Sequence, residues 1–314
     1  MSPTSNSTVT CFIATVISHY NITDLPDSVV TVWTVIAIVN GFAAPLTAIF
    51  NALIIWGILG DHQLRSKAYN ILLASLAVTD LIVGLVAEPL FCLCLVVLIK
   101  GLGTPCLLFA VYVLTIAFCG GMALCTLMMT SVERYLAIQL PFFHHVQVRA
   151  RRVMFIAIAI WVYLPSSMIG LRILLDNSQT LKKLPPLRFV LGNVLVTIYC
   201  TARVHITAYF KKKQPAAQET QKQQKHRIKD YKRAFALGVL VLTSTMLYFP
   251  FIIVNIVYMF KGKEATQEFE LTAIHISITI VHLQSIFNPI IILKRIEKIR
   301  KVIKMKILSH FNEH

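Results

Sequence analysis

The chain has 314 residues, 56% of them hydrophobic and 14% charged, with a mean hydropathy of +0.70. A soluble domain carries roughly 25% charged residues, so this much apolar surface is more simply dissolved in lipid than wrapped in a polar coat. The net charge of +16 does not mark a nucleic-acid binder, because Lys and Arg gather in alternate connecting segments and not in basic runs interleaved with aromatics.

Residues 1–30 contain no Lys or Arg and hold two N-glycosylation sequons, Asn6-Ser7-Thr8 and Asn21-Ile22-Thr23. A basic start followed by a continuous apolar core is lacking, so no cleavable signal peptide is expected. This segment reads as an extracellular amino terminus glycosylated at Asn6 and Asn21.

A helix needs about 20 mostly apolar residues to cross the bilayer. Suitable segments run over 31–59, 68–98, 106–132, 153–175, 188–210, 234–260 and 270–293. The fifth is interrupted by Asn193, Arg203 and His205, and the seventh is polar at its start. Connections after the first, third and fifth spans, with the tail, carry 21 Lys and Arg, against seven on the opposite side. Positive residues stay cytoplasmic, so the amino terminus is expected outside and the carboxyl terminus inside. The expected fold is an all-α membrane protein, a seven-helix transmembrane bundle over 31–293.

Five cysteines, Cys92, Cys94, Cys119, Cys125 and Cys200, fall within spans and are expected to pack as small hydrophobes. Only Cys11 and Cys106 are expected on the oxidising side. There is no CxxC pair and no His/Cys cluster at zinc spacing, so no metal centre is expected.

Several polar residues stand inside the spans. Asn51 lies in the first, and Asp80 closes Leu76-Ala77-Val78-Thr79-Asp80 about half-way through the second. A carboxylate at that depth costs several kcal/mol unless paired or solvated, and it marks either function or a bond to neighbouring helices. The third span ends on Glu133-Arg134-Tyr135, the fourth holds Trp161, the sixth holds Tyr248-Phe249-Pro250, and the seventh holds Asn288-Pro289. Pro289 frees a backbone carbonyl inside lipid that a polar partner must satisfy. Asn288, Asp80 and Asn51 are the natural members of that network. Pro250 and Pro289 are candidate hinges.

Residues 211–233 are rich in Gln and Lys and read as an inner loop extending the fifth and sixth helices, or as a solvated linker. Within 294–314, Ile296, Ile299, Ile303 and Ile307 recur at three- and four-residue spacing among basic residues. That pattern predicts a short amphipathic eighth helix lying on the anionic inner leaflet, with a basic tail of accidental periodicity as the alternative.

Asn51, Leu76 to Asp80, Glu133-Arg134-Tyr135, Trp161, Pro250 and Asn288-Pro289 match, in order and on successive spans, the markers of rhodopsin-type G-protein-coupled receptors. The likeness covers about 31–307 and resembles most the melanocortin, adenosine and lipid receptor branch, which shares the missing second-loop cysteine and fifth-helix proline. The resemblance implies a receptor, not an enzyme, that passes an outer ligand's signal to heterotrimeric G proteins at the plasma membrane. It implies a switch of Glu133, Arg134, Tyr135 and Tyr199, with Arg134 held by Asp230 when inactive. The same resemblance implies a polar core of Asn51, Asp80, Gln284, Ser285 and Asn288, where sodium is a candidate cofactor; Ala123 replaces the usual helix-three hydroxyl. Two further departures are Tyr248, where the family carries tryptophan, and Ile292, where it carries tyrosine. With no cysteine over 176–187, Cys106 is left with Cys11 as its candidate disulfide partner.

Residues 270–293 contain no lysine for a retinal Schiff base, and 106–125 contain no acid for a monoamine. Glu88 alone stands where melanocortin receptors carry an acidic cluster. Asn255 and His282 match the purine- and ribose-contacting positions of adenosine receptors. Asn40 would be the partner of His282 on the first helix, and Tyr248 and Ile116 would line the cavity. The implied ligand is a nucleoside-like small molecule, with a peptide or lipid as the alternative. A transporter is the rival class, but paired repeats and interrupted helices are not visible.

Overall fold

The computed structural model describes residues 25–102, 106–174, 179–213, 221–261 and 267–312. Seven long helices dominate it: α1 (Asp27–Leu59), α2 (Ala68–Ile99), α3 (Cys106–Gln139), α4 (Ala150–Leu174), α5 (Gln179–Lys213), α6 (Gln221–Lys261) and α7 (Gln267–Arg295). An eighth, α8 (Glu297–Asn312), follows after a one-residue break. Two short helices, His62–Arg65 and Pro141–Gln147, lie in the connections after α1 and α3.

Six of the long helices are long and apolar enough to cross a membrane, with mean hydropathy between 1.5 and 2.7. The remaining one, α4, has 25 residues, which at about 1.5 Å rise each is enough to span. Phe42, Leu85, Leu114, Phe155, Leu195 and Ile253 point outward from six helices and are more than half exposed. A girdle of that kind is a liability in water and the natural surface in lipid. The protein is a multi-pass membrane protein.

Helices consecutive in the chain alternate in direction, whereas α1 and α7 pack in parallel. Ser28 in the first turn of α1 donates to Glu268 in the first turn of α7 at 2.5 Å, which sets the two amino-terminal ends side by side. Cys92 near the end of α2 donates to the Ala37 carbonyl near the start of α1. We call the end carrying Arg134 the inner end. There α3 runs seven residues past the expected span, so Glu133-Arg134-Tyr135 lies within a continuous helix.

Polar residues that interrupt the fifth span are absorbed by packing. Asn193 faces α3, where the Cys125 thiol donates to its Oδ1 at 3.7 Å, and its own Nδ2 donates to the Phe189 carbonyl. His205 points the Nε2 edge of its ring at Gly238 of α6, where an added Cβ would lie 2.1 Å from Nε2. The outer loop expected over 176–187 is helical from Gln179 onward. Loop polarity there reflected Lys182 and Lys183, which a helix end projecting from the bilayer tolerates as readily as a loop. Cys94, Cys119, Cys125 and Cys200 are buried thiols within the spans, as their positions implied, and Cys92 is half-buried. Asn6, Asn21 and Cys11, with the side chain of Cys106, lie outside the described residues.

The eighth helix forms, and its isoleucine face packs on the bundle while Met305 and Leu308 stay more than half exposed. Ile296, Ile299, Val302 and Ile303 are buried against the bundle, with Ile307 packed at the edge. Gly57 makes this docking feasible: a Cβ there would stand 2.5 Å from Ile303 Cγ1. Lys306 Nζ then donates to the Trp56 carbonyl at 3.2 Å and sits 5.1 Å from the indole centroid. Periodicity established the amphipathic stripe correctly, but a stripe cannot say whether protein or membrane covers it.

Gly57→Val should therefore undock α8, an overpacking change that costs roughly 1–3 kcal/mol. Thermal unfolding in lipid nanodiscs should show a lowered Tm, partly recovered when Ile303→Ala is added. Additive losses in the double variant would refute the direct contact.

Candidate functional site

Half-way down the bundle, Asp80 of α2 is buried and holds two side chains of α7. Ser285 Oγ donates to Oδ1 at 2.9 Å, and Asn288 Nδ2 donates to Oδ2 at 2.8 Å. Asn288 Oδ1 in turn accepts from Ser244 Oγ of α6 at 2.6 Å. Pro289 has no N–H, so the Ser285 carbonyl four residues earlier loses its helical donor. Asn51 of α1 replaces it, with Nδ2 at 2.9 Å from that carbonyl and at 2.9 Å from the Thr47 carbonyl. Asp80 thus ties α2 to α7 and, through Asn288, to α6, while Asn51 ties α1 to the same stretch of α7. Gln284 is buried beside them but turns toward the Tyr248 hydroxyl.

At the inner end, the Arg134 guanidinium bonds both carboxylate oxygens of its neighbour Glu133 and lies 4.7 Å from the Tyr69 ring centroid of α2. His144, from the short helix Pro141–Gln147, brings Nε2 to 2.9 Å from Glu133 Oε1. The side chain of Asp230 lies outside the described residues, so Glu133 is the partner of Arg134 that the structure records. Beside Arg134 a small recess with a cavity volume of about 10 Å³ lies between α3, α5 and α6, lined by Ser131, Thr201, Val204, Ala234 and Gly238.

Tyr199, expected in the switch with Arg134, does not line that recess. It is 58% exposed on the outward side of α5, with its ring 6.3 Å from Tyr135. Two residues on a helix differ by about 200°, so with Thr201 and Val204 facing inward, Tyr199 must face away.

Near the outer end, Asn40 and His282 come together across α1 and α7, with His282 Nδ1 at 2.8 Å from Asn40 Oδ1. Asn40 Nδ2 donates to the Ile36 carbonyl and to Thr279 Oγ1, which leaves Oδ1 as the acceptor and puts the proton of His282 on Nδ1. The ring is 0% exposed, packed edge-on against Phe91 and Tyr112. Ile116 of α3 packs against this same aromatic cluster. Asn255 and Tyr248 do not join it. Asn255 Nδ2 donates back to the Phe251 carbonyl of its own helix at 2.7 Å, and Tyr248 is buried in the central core. Of the five expected ligand residues only Asn40, His282 and Ile116 therefore share one place, because matching positions in sequence say nothing about the rotamers that packing selects.

Residues 50–183 and 186–292 match the family model described as 7 transmembrane receptor (rhodopsin family). The chain belongs to that family. It is also 30% identical over 142 residues to the adenosine receptor A2b of Gallus gallus, a match covering 45% of this chain and 40% of that receptor. The chain thus matches less than half the length of this curated relative.

Membership makes the protein a receptor and not an enzyme. Against the family pattern, Ile292 is a core residue, 2% exposed, so apolar contact replaces a hydroxyl at the end of the helix-seven motif. Sequence reasoning overlooked Ser244, Thr47 and His144. Serine and threonine inside apolar spans are frequent and bond mostly to their own helix, so nothing in the chain singled out Ser244 from Thr245. His144 was legible only as one of two adjacent histidines.

Asn51→Leu should leave the Ser285 carbonyl unpaired and lower stability by roughly 1–3 kcal/mol. Adding Pro289→Ala should recover part of that loss, since residue 289 then regains an N–H. Thermal melts of both single variants and the double variant check this; a double variant no better than Asn51→Leu would overturn it.

Proposed function

We propose that this receptor transduces the binding of an outer ligand to heterotrimeric G proteins on the inner side of the plasma membrane, with its amino terminus extracellular. The carrying observation is the pairing of a closed polar core around Asp80 with a recess beside Arg134 at one end. The positive-inside count assigns that end to the cytoplasm. Next to the recess, Phe142, Phe143 and Val146 of the short helix are each more than half exposed, an apolar surface fitted to a protein partner.

Mechanistically, Pro250 and Pro289 allow α6 and α7 to pivot about the Ser244–Asn288–Asp80 links. An outer ligand with unequal affinity for the two arrangements shifts the population toward the one with the recess opened. Release of Arg134 from Glu133, and from Asp230 where that pair forms, accompanies the shift.

A nucleoside-like ligand is the first candidate, supported by the similarity to an adenosine receptor and by the juxtaposed Asn40 and His282. His282 is enclosed by Phe91 and Tyr112, so it would act from behind the cavity wall unless those rings move. A small peptide or lipid is the second candidate. Sodium beside Asp80 would be held by that carboxylate with Ser285 and Asn288, and Ala123 offers it no oxygen from α3.

Two measurements test this reading. Asp230→Ala should raise basal nucleotide exchange several-fold in reconstituted membranes; no rise at matched surface expression removes Asp230 from the switch. Adenosine and related purines should evoke a second-messenger response in expressing cells. Silence to purines together with a response to a peptide panel would reverse the order of ligands.

A further inference from the structure

Glu88 takes no part in the network around Asp80, yet it is a second carboxyl group enclosed within a membrane-spanning helix. Its side chain is 0% exposed. The turn Val83–Ala87 is widened to a π-helical repeat just before Pro89, which lacks an N–H, and this rotates Glu88 toward α1. There Thr47 Oγ1 donates to Oε1 at 3.3 Å, while Oε2 is buried and meets no hydrogen-bond partner. Gly84 brings the two helices into near contact below it, since a Cβ would lie 2.8 Å from the Ala48 nitrogen and 3.0 Å from the Ala44 carbonyl oxygen.

A bare carboxylate so enclosed would need a counter-charge. Its surroundings supply none. From α1 comes neutral Thr47, and α2 itself carries Asp80 two turns inward and Cys92 one turn outward. Cys119 of α3 packs against Val83 and Ala87. On α7, His282 rests against Phe91, one turn outward from Glu88, with Nδ1 bonded to Asn40 and Nε2 lacking any acceptor for a second proton. No ion pair to Glu88 occurs among the described residues.

We propose that Glu88 is a proton-binding site: at neutral pH it holds one proton and clamps α1 to α2 as a neutral carboxylic acid. Oε1 accepts from Thr47 Oγ1, and Oε2, enclosed in the α1–α2 seam without a donor, carries the proton. Releasing that proton would place a second anion two turns from Asp80, so proton loss and loosening of the seam are linked. The site stands apart from the ligand and G-protein reading above, and its test uses neither.

Infrared spectra of the full chain in lipid nanodiscs decide the matter. A protonated-carboxyl C=O band should be present at neutral pH, should shift with carboxyl-13C glutamate but not with 13C aspartate, and should vanish in Glu88→Gln. Glu133, the other enclosed glutamate among the described residues, is paired with Arg134 and contributes no such band. Glu88→Gln should melt within about 2 °C of the unsubstituted protein, and Glu88→Ala several degrees lower. Absence of a glutamate-derived band, or its survival in Glu88→Gln, would overturn the proposal. So would a Glu88→Gln variant as unstable as Glu88→Ala, in a protein whose stability follows sodium or potassium concentration, since that marks an ionised, cation-bound carboxylate. Should Glu88→Gln fail to fold, the isotope shift in the unsubstituted protein still gives the answer.

Discussion

The Asp80 carboxylate is the constraint around which the bundle is organised. In lipid a carboxyl group must find donors, and the donors it finds sit on α7, next to the one proline that breaks that helix's hydrogen-bond ladder. The carbonyl exposed by Pro289 is a second unmet need, and Asn51 meets it from α1. Each group would be a defect alone, and together they cancel. Because the partners lie on different helices, the cancellation also sets how α1, α2, α6 and α7 stand relative to one another. A network of this kind is specific for geometry in a way that Leu and Ile contacts are not, since apolar side chains pack comparably in several registers.

The two ends of the bundle differ in chemical character. At the inner end the charged pair Glu133–Arg134 is shared with His144 from a neighbouring short helix and borders a small recess. At the outer end neutral aromatic and imidazole rings close over one another, with Trp33, Phe91, Tyr112, His275 and His282 in ring contact. One end is therefore suited to partners that bring charge, the other to partners that bring flat apolar faces and a few hydrogen bonds. The polar core lies between them, and the Ser244–Asn288 hydrogen bond ties α6 to it.

Substitutions relative to the family pattern flank this same core. Ile292 fills with methyl groups a place where a hydroxyl would otherwise sit, and it is buried in the apolar cluster that also holds Leu73, Leu76 and Ile299. Tyr248 offers a hydroxyl at the level where relatives carry an indole, and Gln284 turns toward it.

Crossing number, the alternation of charge between connections, the marker residues and the stripe of α8 were all legible in the chain, because each depends on composition or on a period along one helix. Asn51, Asp80 and Asn288 could even be named as a group, since a proline inside lipid demands a partner. What periodicity cannot carry is the rotation of one helix against another. That rotation sent Tyr199 outward, returned Asn255 to its own helix, and turned the Ile face of α8 onto Gly57. It also brought Ser244 to Asn288 and Thr47 to Glu88. These contacts join residues 41 and 44 positions apart. Local sequence fixes neither helix phase nor tilt; close packing of all seven helices at once does.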